Sequence, residues 1–235
     1  MNWTLMNYNI HSGADEQGRM NLEGIMDVIR SVQPDYVFTE EVACHVSTAW
    51  DLDEAALLQD GLGMHVTFAK SIDWRGGDYG IALLSRQPVT DVQVYPIPDL
   101  EEEKRDRWFE HRIVLRCQAL YEGKPVTLLV THLGLSEGER QLGVQLLCDL
   151  LDDITTPVIL GGDLNTRPDE PLLAPLLDRL QMHSTAYTFP SSDPNVKIDY
   201  LLTSPHWHAE AEYSLPDQAS DHLALVKKVR MTDLA

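Results

Sequence analysis

The feature that most limits the folds open to this chain is a repeated unit, a short apolar run of strand length that stops at a knot of polar residues. Trp3 to Ile10 ends at His11-Ser12-Gly13, and Tyr36 to Thr39 at Glu40-Glu41. Val126 to Thr131 ends at His132, and Pro157 to Leu160 at Gly161-Gly162-Asp163. Apolar runs bounded by turn formers read as buried strands. Helical periods lie between them. Leu22, Ile25, Met26, Ile29 and Val32 share one helical face behind Asn21, which is placed to cap it, and Pro34-Asp35 ends the helix. Another helix is expected around residues 52–60. Ser136 and Glu139 form a capping box that opens a helix to about Leu151, with Leu142, Leu146, Leu147 and Leu150 facing inward. Gly80 to Ser85 and Ile113 to Leu120 add strands. Such alternation is the signature of a layered α/β fold.

Two stretches follow one plan of strand, polar turn, helix, buried strand and acidic residue, the first ending at Glu41 and the second at Asp163. The repeat suggests two similar halves packed together. No Ser/Gly-rich linker interrupts the 235 residues, so residues 1–235 are expected to form a single domain. With 43% apolar and 23% charged residues, disorder is excluded, and no run approaches a transmembrane length. The N-terminal residues lack a basic segment followed by a long apolar one, so no export signal is read. Cys44, Cys117 and Cys148 stand apart in apolar contexts, as reduced thiols rather than a disulfide frame or zinc knuckle. A soluble, cytoplasmic protein is expected. Its 37 acidic residues against 18 basic ones give a formal net charge of −19. That field repels long polyanions unless a basic patch or a bound cation reverses it. Arg75, Lys104, Arg105 and Arg107 are the candidate patch, and Asp73, Glu101 to Glu103 and Asp106 largely cancel it.

Ligands of layered α/β folds sit at strand ends, where this chain collects Asn9, Glu41, His132, Asp163 with Asn165, Asp199, and Asp221 with His222. A carboxylate directly after an apolar strand, such as Glu41, is either a solvated loop residue or a hard-metal ligand, and Glu40 competes for the role. Gly161-Gly162-Asp163-Leu164-Asn165 puts two polar side chains on one side of an extended chain, to serve chemistry or a simple Asx turn. Asp can orient or deprotonate water, and Asn can donate to an oxyanion without adding charge. His132 closes a buried strand, as a satisfied core histidine or a site residue. Asp199 offers a carboxylate able to orient the imidazole of His222. The set is oxygen-rich, which suits Mg²⁺ or Mn²⁺ better than zinc.

The order Tyr8-Asn9-Ile10, Pro34-Asp35 through Glu40-Glu41-Val42, Thr131-His132, Gly162-Asp163-Leu164-Asn165, Ile198-Asp199-Tyr200 and Ser220-Asp221-His222 spans nearly the whole chain. It resembles the endonuclease/exonuclease/phosphatase superfamily of DNase I-like and exonuclease III-like metal-dependent phosphoesterases. The resemblance implies a four-layer α/β/β/α sandwich, two packed mixed β-sheets flanked by helices, with the site at one edge. By the same resemblance Glu41 is the principal Mg²⁺ ligand, with Asn9 and Asp221 on the metal side. Asp163 aligns or activates the attacking water, Asn165 binds phosphate, and His132 contacts the phosphate or assists as an acid. His222 is the catalytic histidine paired to Asp199. Arg112, with Glu110, and Arg140 fall where relatives place phosphate-binding or supporting residues. Thr39-Glu40 departs from the usual apolar-Gln pair, and Ile81 stands after Gly80 where many relatives carry Asn.

The expected activity is therefore Mg²⁺-dependent hydrolysis of a small phosphodiester or phosphomonoester, with Asp163 or His222 as the base. A DNA or RNA nuclease is the first alternative, and a catalytically silent scaffold of the same fold the second. Sparse, acid-interleaved basic residues favour the small substrate. Trp74 and Trp108-Phe109 could form an apolar rim for it or simply pack in their loops.

Overall fold

The computed structural model describes residues 2–105 and 109–232, so Asp106, Arg107 and Trp108 of the expected patch and rim lie outside the described residues. Strand β1 (Trp3–Asn9) runs parallel to β2 (Tyr36–Cys44), and the helix between them, α1 (Leu22–Val32), packs on one face of the pair. The second half repeats the device. Strand β7 (Lys124–His132) is parallel to β8 (Val158–Asp163), with α3 (Glu137–Asp153) between them in sequence. Around the first pair, a six-stranded sheet has the order β10 (Trp207–Ser214), β11 (Leu225–Met231), β1, β2, β4 (Gly77–Ser85), β3 (His65–Trp74). Around the second, a five-stranded sheet has the order β5 (Thr90–Pro96), β6 (Ile113–Tyr121), β7, β8, β9 (Asp199–Thr203).

Side-chain alternation sorts these strands into layers. On β1, Trp3 and Leu5 enter the inter-sheet core with Phe38, Leu83, Leu115, Leu128, Val130 and Ile159. Met6, Tyr8 and Ile10 face the other way, onto α1 and onto Leu58 of α2 (Glu54–Leu62). A third cluster joins Leu129 and Leu160 to Val144 and Leu147 of α3 and Leu176 of α4 (Ala174–Leu177). The result is the four-layer α/β/β/α sandwich. The sheets approach so closely at Gly161 that a Cβ there would lie 2.3 Å from Phe38 Cγ.

Local expectations fared unevenly. The Ser136 capping box forms, with Glu139 Oε2 accepting from the Ser136 amide at 3.0 Å. Asn21 precedes α1 but does not cap it, because its Nδ2 donates to Ala219 O at 3.1 Å instead. On α3 the fully buried stripe is Gly143, Val144, Leu147 and Cys148, while Leu142, Leu146 and Leu150 sit at its margins.

Strand β9 is a sheet edge, and its outward carbonyls are covered in an unusual way. Lys197 Nζ donates to Asp199 O at 3.0 Å, and Lys227 Nζ donates to Leu201 O. Both ammonium groups are buried and share Glu212 of β10, at 3.8 and 3.0 Å. Glu212 is the counter-charge the two buried cations share, so Glu212→Ala is costly, with an expected loss of about 3–5 kcal/mol. Urea unfolding measures it, and a loss below about 1 kcal/mol would contradict this role.

Candidate active site

The alternation that builds the core also builds the site. Inner-face positions are apolar along most of each strand and turn polar at one end, with Asn7 and Asn9 following Leu5 on β1. His132, Asp163 and Asp199 occupy the same face at the ends of β7, β8 and β9. Register fixes their proximity, since His132 pairs with Asp163 and Asp163 with Asp199. On β2 the ladder slips between Thr39 and Val42, where one extra residue forms a β-bulge with Glu41 at φ 59°. The bulge changes the parity of the strand, so Phe38 and Val42 face opposite cores although they are four positions apart. It also separates the two glutamates. Glu40 is fully buried between the sheets, bonded by Asn7 Nδ2 at 3.3 Å, whereas Glu41 is half-buried and accepts from Asn9 Nδ2 at 3.1 Å.

Asp163 is the hub. Its Oδ2 accepts from Asn9 Nδ2 at 3.2 Å and faces His132 Nε2 at 3.6 Å and His222 Nε2 at 3.8 Å. Its Oδ1 accepts from the Asn165 amide at 2.9 Å, so the Asx turn exists alongside the chemistry. Two hydrogen bonds set the imidazoles. His222 Nδ1 meets Asp199 Oδ2 at 2.9 Å, which turns Nε2 toward Asp163. Arg112 donates to His132 Nδ1 at 2.9 Å, and since a guanidinium only donates, a neutral His132 carries its proton on Nε2.

Burial and charge then tune the groups in opposite senses. Burial alone would lower His222, but Asp199 and Asp163 outweigh it and hold the imidazole well above its ordinary value. Burial and the Arg112 charge keep His132 well below its own. Burial, then the Asp199 charge, pushes Asp163 up to about 7. Glu40 is raised by burial and by the same carboxylates.

Several supporting residues carried no readable signal in the sequence. Tyr79 is raised by burial and by Glu41, to which its hydroxyl bonds. His11 Nδ1 lies 3.7 Å from Asp221 Oδ1, and its backbone amide donates to Asn9 Oδ1 at 3.1 Å. The arginines expected at phosphate are engaged by the protein itself. Arg112 pairs with Glu110 at 2.9 Å, and Arg140 donates to Asn165 O at 2.8 Å. Asn165 in turn donates through Nδ2 to Leu133 O at 2.9 Å. These three brace His132 and the turn after Asp163.

Glu54 lies beneath this end of β2, accepting from Ala43 N at 2.8 Å, and burial pushes it up to about 8. The native state therefore keeps a proton that the unfolded chain releases near 4.5, so stability falls as pH rises from about 4.5 to about 8. Glu54→Gln should flatten that part of the stability-against-pH curve. Equal slopes for variant and wild type in urea titrations would contradict the assignment.

The carboxylates Glu41, Asp163, Asp199 and Asp221 converge here; burial first and then the neighbouring Asp199 and Glu41 charges raise Asp163, and burial with the Glu41 charge raises Asp221. Among the described residues, Asp163, Asp199 and His222 present ligand atoms within 4.8 Å of one another. With Arg112 already paired, an oxygen-rich set holding excess negative charge fits a hard divalent cation.

Over 239 aligned residues, the chain is 26% identical to the uncharacterised protein YbhP of Escherichia coli, covering 94% of this chain and 91% of that protein. An endonuclease/exonuclease/phosphatase from Beutenbergia cavernae superposes with a TM-score of 0.75 at 22% identity, over 98% of this chain and 72% of the other. A mannosyl-6-phosphatase of Bacteroides thetaiotaomicron gives 0.79 at 16% identity, over 98% and 99%. At these identities the superpositions establish the fold. The sequence pattern of the Endonuclease/Exonuclease/phosphatase family matches residues 6–222, and the chain belongs to that family of hydrolytic phosphoesterases and nucleases.

Proposed function

We propose that the protein hydrolyses a small phosphoester with the help of Mg²⁺, for which Mn²⁺ can substitute, held by Glu41 and Asp221 beside Asn9. The observation that carries this reading is the convergence of Asn9, His132 and His222 on one oxygen of Asp163. A bound cation supplies charge compensation for the phosphoryl oxygens. The chain's own groups do the rest. Asp163 accepts the proton of a water lying in line with the ester bond, and its pKa of about 7 suits that task. His222 is an imidazolium at neutral pH, so it donates through Nε2 instead of serving as the base. His132 Nε2–H provides a second donor to the phosphoryl group.

A compact substrate is favoured over a polyanion because the basic side chains are largely spent. Among the described residues, Arg19, Arg30, Lys70 and Arg179 each pair with an acid, which thins the free cations available to track phosphates. The free thiols Cys44, Cys117 and Cys148 favour a cytoplasmic setting, and no described helix is long and apolar enough to cross a membrane. The fold shared with a mannosyl-6-phosphatase places sugar phosphates among the substrates to test. The test is a screen of sugar phosphates, nucleotides, inositol phosphates, sphingomyelin and abasic DNA with Mg²⁺, Mn²⁺ or EDTA. Turnover of a small phosphoester, abolished by EDTA and restored by Mg²⁺, is expected. Duplex DNA cleavage as the dominant activity, or no turnover, would contradict the proposal.

A further inference from the structure

We propose that Asn7 is a positioning residue for the Asp199–His222 pair, holding the Asp199 carboxylate at the angle from which it aims the imidazole; this rests on the phosphoesterase reading. Asn7 is fully buried, so it acts through Asp199 and not on the substrate. The need for such a residue follows from how Asp199 is held. Its backbone is fixed twice, by ladder pairing with Asp163 and by the Lys197 ammonium, which donates to its carbonyl oxygen at 3.0 Å. The side chain is less constrained, since the terminal torsion of an aspartate is broad. Its contact through Oδ2 with His222 Nδ1, at 2.9 Å, leaves the carboxylate free to pivot about that bond. A bond on the other oxygen removes the freedom. Asn7 Nδ2 supplies it, donating to Asp199 Oδ1 at 3.4 Å.

The same nitrogen donates to Glu40 Oε2 at 3.3 Å, so both hydrogens of the amide are directed at carboxyl groups. The two bonds run in different directions through the fold. Glu40 lies on β2, which neighbours β1 in the six-stranded sheet, whereas Asp199 belongs to β9 of the five-stranded sheet. Asn7 therefore ties the layer that carries Asn9 and Glu41 to the layer that carries His132, Asp163 and Asp199.

The residue type is informative. At an inner-face position that continues Trp3 and Leu5, an apolar side chain would add to the core, and a buried amide is costly unless its hydrogen bonds are made. A serine or threonine hydroxyl has one hydrogen to give and a carboxylate none, so two facing carboxyl groups call for an amide. Asn7 Oδ1 is left without a hydrogen-bond partner among the described residues, a cost that a mere core filler would not carry.

The test is a double-mutant cycle on kcat, with thermal unfolding showing that each variant is folded. Asn7→Leu keeps the size of the side chain and removes both donors, and Asn7→Ser serves where leucine proves too bulky. Each is made in wild type and in Asp199→Ala. On a small phosphoester that the wild type turns over, Asn7→Leu should lower kcat about 10–100-fold with KM little changed, the range typical of losing a hydrogen-bond partner one step behind a site residue. In the Asp199→Ala background the same change should alter kcat less than about twofold, because no carboxylate remains to be positioned. An equal loss in both backgrounds, no loss in wild type, or a loss confined to KM would overturn the inference while leaving the phosphoesterase reading intact. Proton NMR of the His222 Nδ1–H, without substrate, gives an independent reading: the resonance should move upfield in Asn7→Leu, and an unmoved resonance would contradict the role. Absence of turnover in wild type would remove the phosphoesterase reading, and the resonance would then decide by itself whether Asn7 sets the pair.

Discussion

Asp163→Asn is expected to lower kcat by about a thousandfold or more, within the range that loss of a positioned proton acceptor produces. The substitution keeps the size of the side chain and an oxygen for the Asn165 amide bond of 2.9 Å. It places an NH₂ where Asn9, His132 and His222 all direct nitrogen atoms, at 3.2, 3.6 and 3.8 Å. Donors then face a donor, and the water loses its acceptor. Single-turnover kinetics with saturating substrate and cation measure the effect, with thermal unfolding monitored to show that the variant is folded. Undiminished turnover would remove Asp163 from the role of proton acceptor.

Removing the imidazole should be nearly as severe. For His222→Ala a fall in kcat of about 10²–10⁴ with little change in KM is expected, because the Nε2–H donor strengthens as charge develops on the phosphoryl oxygens. Asp199→Asn gives a more specific result. Asp199 is the main force raising His222 against the opposing effect of burial. Without that charge the imidazolium deprotonates at lower pH, so the alkaline limb of the kcat profile should move down in pH. A loss confined to KM in His222→Ala, or an unmoved limb in Asp199→Asn, would contradict the roles assigned here.

The strands and helices that carry the site were legible because their local signals agree with their tertiary environment. Apolar runs such as Val158 to Leu160 lie in the buried centre of a sheet, and the Ser136 capping box is satisfied within one turn. Strands β3, β5 and β10 escaped notice because edge and surface positions break the apolar pattern. Every residue of β5, for example, is at least partly exposed. The bulge that separates the buried Glu40 from the half-buried Glu41 depends on pairing with β4 and leaves no local trace. Nothing in the local sequence marks Glu212 or Glu54, yet one pairs with buried lysines and the other lies under β2. Tyr79 and His11 reach the site through sheet register and a left-handed turn, neither of which their neighbours in sequence announce.

The most direct measurement of the central claim, that Glu41 and its neighbours hold a divalent cation against the reacting phosphate, is calorimetric titration of Mn²⁺ into wild type, Glu41→Gln and Glu40→Gln. One site is expected in wild type, weakened at least about tenfold in Glu41→Gln and largely retained in Glu40→Gln, with the same order in the cation concentration needed for half-maximal turnover. Equal affinity in wild type and Glu41→Gln, or the larger loss in Glu40→Gln, would contradict it.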